Sequence, residues 1–578
     1  MSKKTILVFV ALMLCCVTGV LLAKDMANGI NVNESTIDTI SRVITQNYAT
    51  DDIISTADKI IDNQAVFGYD ISLPYEWSCE GIASRSVCYR MHGFIFLDYV
   101  YYAWTLSGDE KYKEYIEKWI IDWVYNNPTV LVGNEWAWHD DATARRLYRM
   151  SLYVYLWQND FTKSDLKIIL ASLKNQAQLL ADDSFYKHKH NHGMYQDMGL
   201  IAYAVLFADN KERGKYLSLA QKRSEEYFNY CFTEDGVHKE HSPQYHIYVS
   251  QELLFYRDVF KDYDLDFSNY IENLRSKSSL FTTEIMMPDG TIPSIGDSTR
   301  KVLDNIACED DPYYLYVTTD GIEGIMPPSD YVFSRSGYAI MRSSWADPPE
   351  KATYLLFTAA TFSSAHKHSD DLSFILFHKG DLFVEGGSRN YNYSEPKTKY
   401  TYSAYSHNVL LVNGEGFPVN IGESGFQSIT NRALNTRIMD FDINSDRKWV
   451  KAVQNRFDNV TQYRTISFNK FQDTVEISDE LDVAENVKST FVYHIAADVN
   501  IMPINDGWKL YRGKDLIADV KVQGARTELR TISGSEGEPP LNTWIFDGDE
   551  DPKIGSLLIV DVDCITGKNY VDLEISLY

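Results

Sequence analysis

The sequence predicts a two-part α+β protein, a helical half followed by an antiparallel β-sandwich. Two textures and one change point carry that expectation. From about residue 35 to 325, apolar residues recur at spacings of three and four, as on one face of a helix. Beyond Met326, short runs rich in Val, Ile, Phe and Tyr are punctuated by Gly, Asn and Asp, as in antiparallel strands. The textures change between 320 and 340, beside Pro327-Pro328, which sets the domains at 25–330 and 331–578.

Residues 1–24 stand apart. Lysines at positions 3 and 4 precede a charge-free run from Ile6 to Ala23, closed by Lys24-Asp25. This is the pattern of a signal peptide or of an uncleaved N-terminal anchor. Either reading predicts export, to the periplasm, the cell surface or the medium. Leu14 and Met13 are too large for a lipid-modification site at Cys15 or Cys16. In the helical half, GFIFLDYVYYAWTLSGDEKYKEYIEKWIIDWVYNN reads as two helices broken at SGDE, a good helix start. ATARRLYRMSLYVYLWQ, SDLKIILASLKNQAQLLADD, GLIAYAVLFADN and KRSEEYFNYCF continue the theme and predict helical hairpins packed in sequence. In the second half YLLFTAATF, LSFILFHKGDLFVEGG, HNVLLVNGEG, VEISDELDV, FVYHIAADVNI, LIADVKVQ and SLLIVDVDC read as strands of a large sandwich.

Composition narrows the function. The 578 residues include 81 Asp+Glu against 55 Lys+Arg, a net charge of −26. That balance argues against general nucleic-acid binding, which needs a basic surface. An anionic ligand must then meet a local basic pocket. The 40 tyrosines and 11 tryptophans supply aromatic packing and, where exposed, stacking surfaces for sugars. Five cysteines lie beyond the N-terminal segment, too few for a disulfide scaffold, and no CxxC occurs.

Ten of the 13 histidines gather in five segments: WAWHDDATARR, KHKHNHGMYQD, VHKEHSPQYH, HKHSDDLSF and SHNVLLVNG. Imidazole exchanges protons near neutral pH. Two histidines with one carboxylate are also a common zinc set. On an extended strand His366 and His368 would point to one side, one toward substrate and one toward a metal completed by Glu385 and His407. The alternative is that Asp370 and Asp371 hydrogen-bond the histidines and no metal is held.

The order of these segments, with VEGG before SHNVLLVNG, resembles the heparinase II/III family of polysaccharide lyases over most of the chain. The resemblance implies an incomplete α/α toroid followed by an antiparallel β-sandwich, with the active site in the cleft between them. It implies β-elimination on a uronic-acid polysaccharide: loss of the C5 proton, then cleavage of C4–O4, leaving a 4,5-unsaturated uronate. Asn191 would neutralise the substrate carboxylate, with His192 assisting. Tyr245 would protonate the leaving O4, and would act as base only with its pKa lowered by a neighbouring cation. His366 would be the other proton carrier, on the opposite face of the sugar ring. His368, Glu385 and His407 match the family's metal positions, for one structural divalent metal, zinc first and calcium second. Glu385 departs from the Asp often found there.

Around this core Arg145 and Arg146 are candidates for substrate carboxylates or sulfates, with an Asp140 or Asp141 salt bridge as the alternative. Trp136, Trp138 and His139 are candidates for a sugar subsite, with core packing as the alternative. Glu240 and His241 complete the substrate-binding candidates, Glu240 as a partner of His241 or Tyr245. The expected partner is an acidic polysaccharide, heparan sulfate or heparosan favoured, with alginate, hyaluronan or a capsule-type uronan next. No nucleic acid is expected, and membrane contact only through the N-terminal segment if it is retained. A glycoside hydrolase built on two carboxylates and a non-catalytic glycan-binding protein are the competing classes.

Overall fold

The computed structural model describes residues 32–578 apart from 47, 49–51, 63–65, 70, 81–84, 131–134, 304–307, 309, 420–435, 534–540 and 549–550. The N-terminal apolar segment lies outside the described residues. No helix among the described residues is long and apolar enough to cross a membrane. The chain divides into two compact units. One runs to Tyr230 and adds Phe255–Asn269; the other takes Cys231–Leu254 and Tyr270–Tyr578.

The helical unit is built from hairpins. Leu97–Ser107 ends at Gly108, left-handed at φ 66°, and Asp109 caps Glu110–Asn126 by accepting from Lys111 N. These are the glycine C-terminal stop and acidic N-cap that SGDE announces. Asp140–Trp157 packs against Lys163–Ala181 and most extensively against Asn191–Phe207. Both of its outer faces are covered, so nearly all its residues are buried. Trp119 and Trp123, on Glu110–Asn126, are fully buried.

The other unit is a sandwich. Among the described residues one sheet runs in the order Asp330–Phe333, Tyr338–Arg342, Thr353–Thr358, Phe374–His378, Asp381–Val384, Val487–Ile495, Ser556–Cys564, Thr527–Ser533, with Leu410–Val412 also paired to Val487–Ile495. The second runs Val499–Ile504, Gly507–Arg512, Asp515–Gly524, Gly567–Leu577, Thr474–Val483, Val460–Asn469, Arg447–Gln454, Arg437–Asp442. All pairings within these two sheets are antiparallel. In strand Thr474–Val483 the inward positions alternate at period two, Val475, Ile477, Leu481 and Val483 entering the core and Asp479 being the one polar residue among them. Their partners across the core include Met341, Leu355, Phe357, Leu376 and Phe491.

The first sheet is covered on its other face as well. Ile340, Tyr354, Leu356 and Ile375 pack on Phe281, Ile285 and Met287. Packing thus joins residues 270–330 to the sheets, a division that the change from helix to strand does not reveal.

A buried polar network fixes the sandwich interior. Arg464 is 0% exposed and grips Asp479 through Nε to Oδ1 at 2.9 Å. Its other guanidinium nitrogens donate to the Asp479 Oδ2, to Leu372 O at 2.7 Å and to Asn408 O at 3.0 Å. Asn408 in turn donates to Phe374 O and Val384 O and accepts from His494 N. The segments ending at Leu372 and beginning at His407 are therefore tied to the core.

Candidate active site

In the sheet unit the cluster forms around His366. The segment 366–373 is a turn, not the strand expected, and strand starts only at Phe374. His366 is left-handed at φ 53°, an uncommon state for a side-chain-bearing residue. His366 and His368 nevertheless reach one acceptor, because the turn brings both rings to Asp297. Nδ1 of His366 donates to Oδ2 of Asp297 at 2.6 Å, and Nε2 of His368 donates to Oδ1 at 2.9 Å. The Tyr402 hydroxyl adds a third bond, to Oδ2 at 2.6 Å. Gly296 makes this approach possible. Its φ is 51°, and a Cβ there would strike His241 O and lie 3.1 Å from His366 O.

Tyr245 sits on the short helix Pro243–Ser250, capped by Ser242. Its ring lies on that of His366, with centroids 3.7 Å apart at 21°, so the two stand side by side and not on opposite faces of a sugar as expected. Its hydroxyl pairs with that of Tyr391 at 3.0 Å. Glu240 Oε2 is 3.6 Å from His366 Nε2. Burial first, then the Asp297 and Glu240 carboxylates, push the Tyr245 phenol well above its ordinary pKa, against the Tyr391 hydrogen bond. The histidine expected beside it is His366, whose ring stacks on it, and the phenol is raised nonetheless. Burial also raises Glu240, with His366 opposing. At Asp297 burial is outweighed by the bonds from His366 and His368, which hold its carboxyl well below the usual range.

Glu385 and His407 adjoin this cluster. Glu385 follows strand Asp381–Val384, and His407 precedes strand Leu410–Val412. Gly386 N donates to Ser406 O at 2.6 Å, and a Cβ at Gly386 would lie 2.6 Å from Ser406 Cβ. Only glycine lets these two segments approach so closely. His407 Nδ1 donates to Glu385 Oε2 and its Nε2 donates to Thr401 O at 3.1 Å. Burial opposes a charge on His407, but Glu385 prevails and raises its pKa. His368 lies beside them, its ring 5.3 Å from that of His407. Its Nδ1 is buried without a hydrogen-bond partner. The donor types suit zinc. Among the described residues, however, no three His, Cys, Asp or Glu converge as they stand on one metal position. Both His407 nitrogens face oxygen acceptors, Glu385 and Thr401 O, so metal binding would require His407 to give up one of them.

In the helical unit His190 caps Asn191–Phe207, its Nδ1 accepting from His192 N at 3.1 Å. Asn191 starts the helix, and its side-chain amide has no protein partner among the described residues. His192 Nδ1 donates to Asp140 Oδ1 at 2.9 Å, and Lys187 Nζ lies 3.3 Å from Asp140 Oδ2. His139 stacks on Tyr89 at 4.0 Å, and Trp136 tilts against the same ring at 5.5 Å. Arg145 takes Asp141 with Nε at 2.9 and 3.0 Å and covers the Tyr195 ring.

Comparison with known proteins now bears on this arrangement. The pattern described as Heparinase II/III N-terminus matches residues 24–309, and Heparinase II/III-like, C-terminal matches 326–568. The chain belongs to the heparinase II/III family. A heparin-sulfate lyase of Bacteroides stercoris is 23% identical over 364 residues, 56% of this chain and 54% of that one. One of Bacteroides thetaiotaomicron is 26% identical over 363 residues, 56% of this chain and 51% of that one. The chain thus spans about half the length of the curated relatives it matches. A heparinase III structure matches at TM-score 0.72 and 17% identity over 92% of this chain and 84% of the other. A mutant heparan sulfate lyase from Pedobacter heparinus matches at 0.70 and 18% over 92% and 84%. The fold is that of the heparinases, an incomplete α/α toroid followed by an antiparallel β-sandwich.

Within this heparinase-type framework several expectations need correction. Arg146 is 0% exposed and is spent on Gln176 Oε1 and His92 O, with Trp123 against its guanidinium. It is a core residue, since successive helix positions face different ways. Trp138 is buried against Trp123. His241 is buried and bridges backbone, Nδ1 to Ala365 O and Nε2 from Phe362 N, so it holds the loop before His366 and does not face a ligand. Among the described residues Glu240 forms no hydrogen bond to His241 or Tyr245; its Oε2 lies 3.6 Å from His366 Nε2. Asp370 and Asp371 bind Lys367, not the histidines. The sequence reading missed Asp297, Tyr391 and Tyr402. Asp297 stands in SIGDSTR, where no period or paired histidine marks it, and only the fold brings it to His366.

Proposed function

We propose that the chain is a polysaccharide lyase that cleaves a uronic-acid-containing glycan by β-elimination, heparan sulfate or heparosan first. The observation that carries this reading is the Tyr245–His366 stack, a phenol and an imidazole held face to face with a carboxylate fixing the imidazole. The heparin-sulfate lyase relatives support the substrate class. Elimination must remove a very weakly acidic proton beside a carboxylate, so that carboxylate needs a neutralising donor. The unpartnered amide of Asn191 suits that role, with His192, tethered to Asp140, beside it. His366 uses Nε2 to take the C5 proton. The C5–H electrons form C4=C5, C4–O4 breaks, and O4 takes the proton of Tyr245. The raised Tyr245 phenol stays protonated until that moment, which makes it the acid and not the base. His139, Trp136 and Arg145 are the remaining substrate-binding candidates, all partly exposed.

We propose further that His368 through Nδ1, with Glu385 and His407, holds a divalent metal, zinc before calcium. The buried, unpartnered Nδ1 supports this. When bound, the metal supplies positive charge that ties the turn at His368 to the ends of two strands. Export is proposed from the charge-free run Ile6–Ala23.

The deciding experiment incubates purified protein with heparan sulfate, heparosan, hyaluronan, chondroitin sulfate and alginate. It follows ultraviolet absorbance of the conjugated uronate together with new reducing ends. Absorbance rising with reducing ends is the expected result. Reducing ends without absorbance would mean hydrolysis, and neither signal on any uronan would favour a binding protein.

A further inference from the structure

Asp297 is 4% exposed and has three donors aimed at its two oxygens. An ionised carboxylate only accepts, so each of the three partners must bring its hydrogen. That requirement fixes the state of two rings at once. A neutral His366 then carries its proton on Nδ1 and leaves the Nε2 lone pair bare. His368 carries its proton on Nε2, which leaves Nδ1 bare, and that Nδ1 is the buried nitrogen without a partner. His366 takes a strained positive φ of 53° to achieve this, beside Gly296, whose φ of 51° costs a glycine little. Such strain persists only where the surroundings impose it.

We infer that Asp297 is a positioning residue shared by the reaction and the metal site. Through Oδ2 it presents Nε2 of His366 to the C5 proton, and through Oδ1 it presents Nδ1 of His368 to a divalent metal. The first half rests on the elimination reading above; the second does not. An asparagine cannot replace it. Its amide has one accepting oxygen and one donating nitrogen, so it would face at least one N–H with an N–H. One ring would then lose its bond or turn over, offering a protonated nitrogen where a lone pair is needed.

The test uses the full chain with Asp297→Asn and Asp297→Glu, reading kcat, KM, thermal midpoint and metal per chain by elemental analysis. Asp297→Asn is expected to lower kcat about a hundredfold with KM within about threefold. It should also weaken zinc affinity about tenfold or more at an unchanged thermal midpoint in chelator. Asp297→Glu keeps both acceptors on a longer stem and should recover part of both losses. Wild-type kcat or wild-type zinc affinity in Asp297→Asn overturns the inference. So does a parallel fall of all readouts with the thermal midpoint, which marks a merely structural role. If Asp297→Asn does not fold, wild-type kcat and zinc affinity in Asp297→Glu overturn it, because exact placement would not matter. If the wild-type protein eliminates no uronan, the functional reading fails, and zinc affinity alone decides between Asp297 holding His368 and not.

Discussion

The two units hold their histidines in opposite ways. In the helical unit His192 and His139 share Asp140 at partly exposed positions, beside an Asn191 amide without a protein partner among the described residues. In the sheet unit His368 and His407 are buried, and His366 is boxed by Tyr245, Asp297 and Glu240. The difference teaches where each kind of work belongs. Half-exposed donors on a helix start can meet a ligand's charge at little desolvation cost. Proton transfer needs fixed tautomers and distances, and turns pinned to a sandwich interior supply them.

The comparison breaks most sharply if the boxed cluster is dispensable. Tyr245→Phe and His366→Ala should each lower kcat about a thousandfold or more, with circular dichroism unchanged. Near-normal turnover in either removes that residue from the chemistry. Next in size, Asn191→Ala should cost about 3 kcal/mol of transition-state stabilisation, read as kcat/KM, with the thermal midpoint preserved. An equal loss of stability would make Asn191 a structural cap and erase the contrast between the units.

Arg145 and Arg146 sharpen the same contrast within one helix. Arg146→Ala should cost on the order of 3 kcal/mol in chemical denaturation, since it empties buried volume and orphans Gln176 and His92 O. Arg145→Ala should leave stability within about 0.5 kcal/mol and act on KM. Reversed results would move the ligand-facing side of the helix.

The smallest effect is one of pH. Glu284 is fully buried with neither carboxylate oxygen bonded, and burial pushes its pKa from 4.5 up to about 8 against Arg342. The folded chain therefore holds a proton that the unfolded chain releases. This contribution is full below pH 4.5 and fades as pH rises through about 8. Glu284→Gln should flatten the decline of the thermal midpoint across that window; an unchanged slope would assign the decline elsewhere.

Fold and site were legible to different degrees. The helix break at SGDE and the strand runs at SLLIVDVDC and VEISDELDV are local patterns, and local patterns survive in the chain. Tyr245 and His366 were legible because they stand in dense polar motifs. Asp297 was not, since its meaning depends on partners 69 and 71 residues away. Arg146 misled because a guanidinium in an Arg-Arg pair reads the same whether it faces water or Trp123. The turn at His366 is hidden in the sequence because a positive φ at histidine has no sequence signature.

Arg464 has a consequence for how the protein acquires activity. Its guanidinium sits between the two sheets and needs Asp479 from one strand and the Leu372 and Asn408 carbonyls from two loops. Asp479 lies on the neighbouring strand and pairs the charge, but if the sheets closed before those loops arrived, guanidinium N–H donors would be sealed in the interior without acceptors, at a cost of about 1–3 kcal/mol. Those two bonds couple the turn behind His366 to the sandwich interior, so its amides are expected to exchange with solvent at the rate of the core strands; exchange of the turn well ahead of them would show that the coupling is weak.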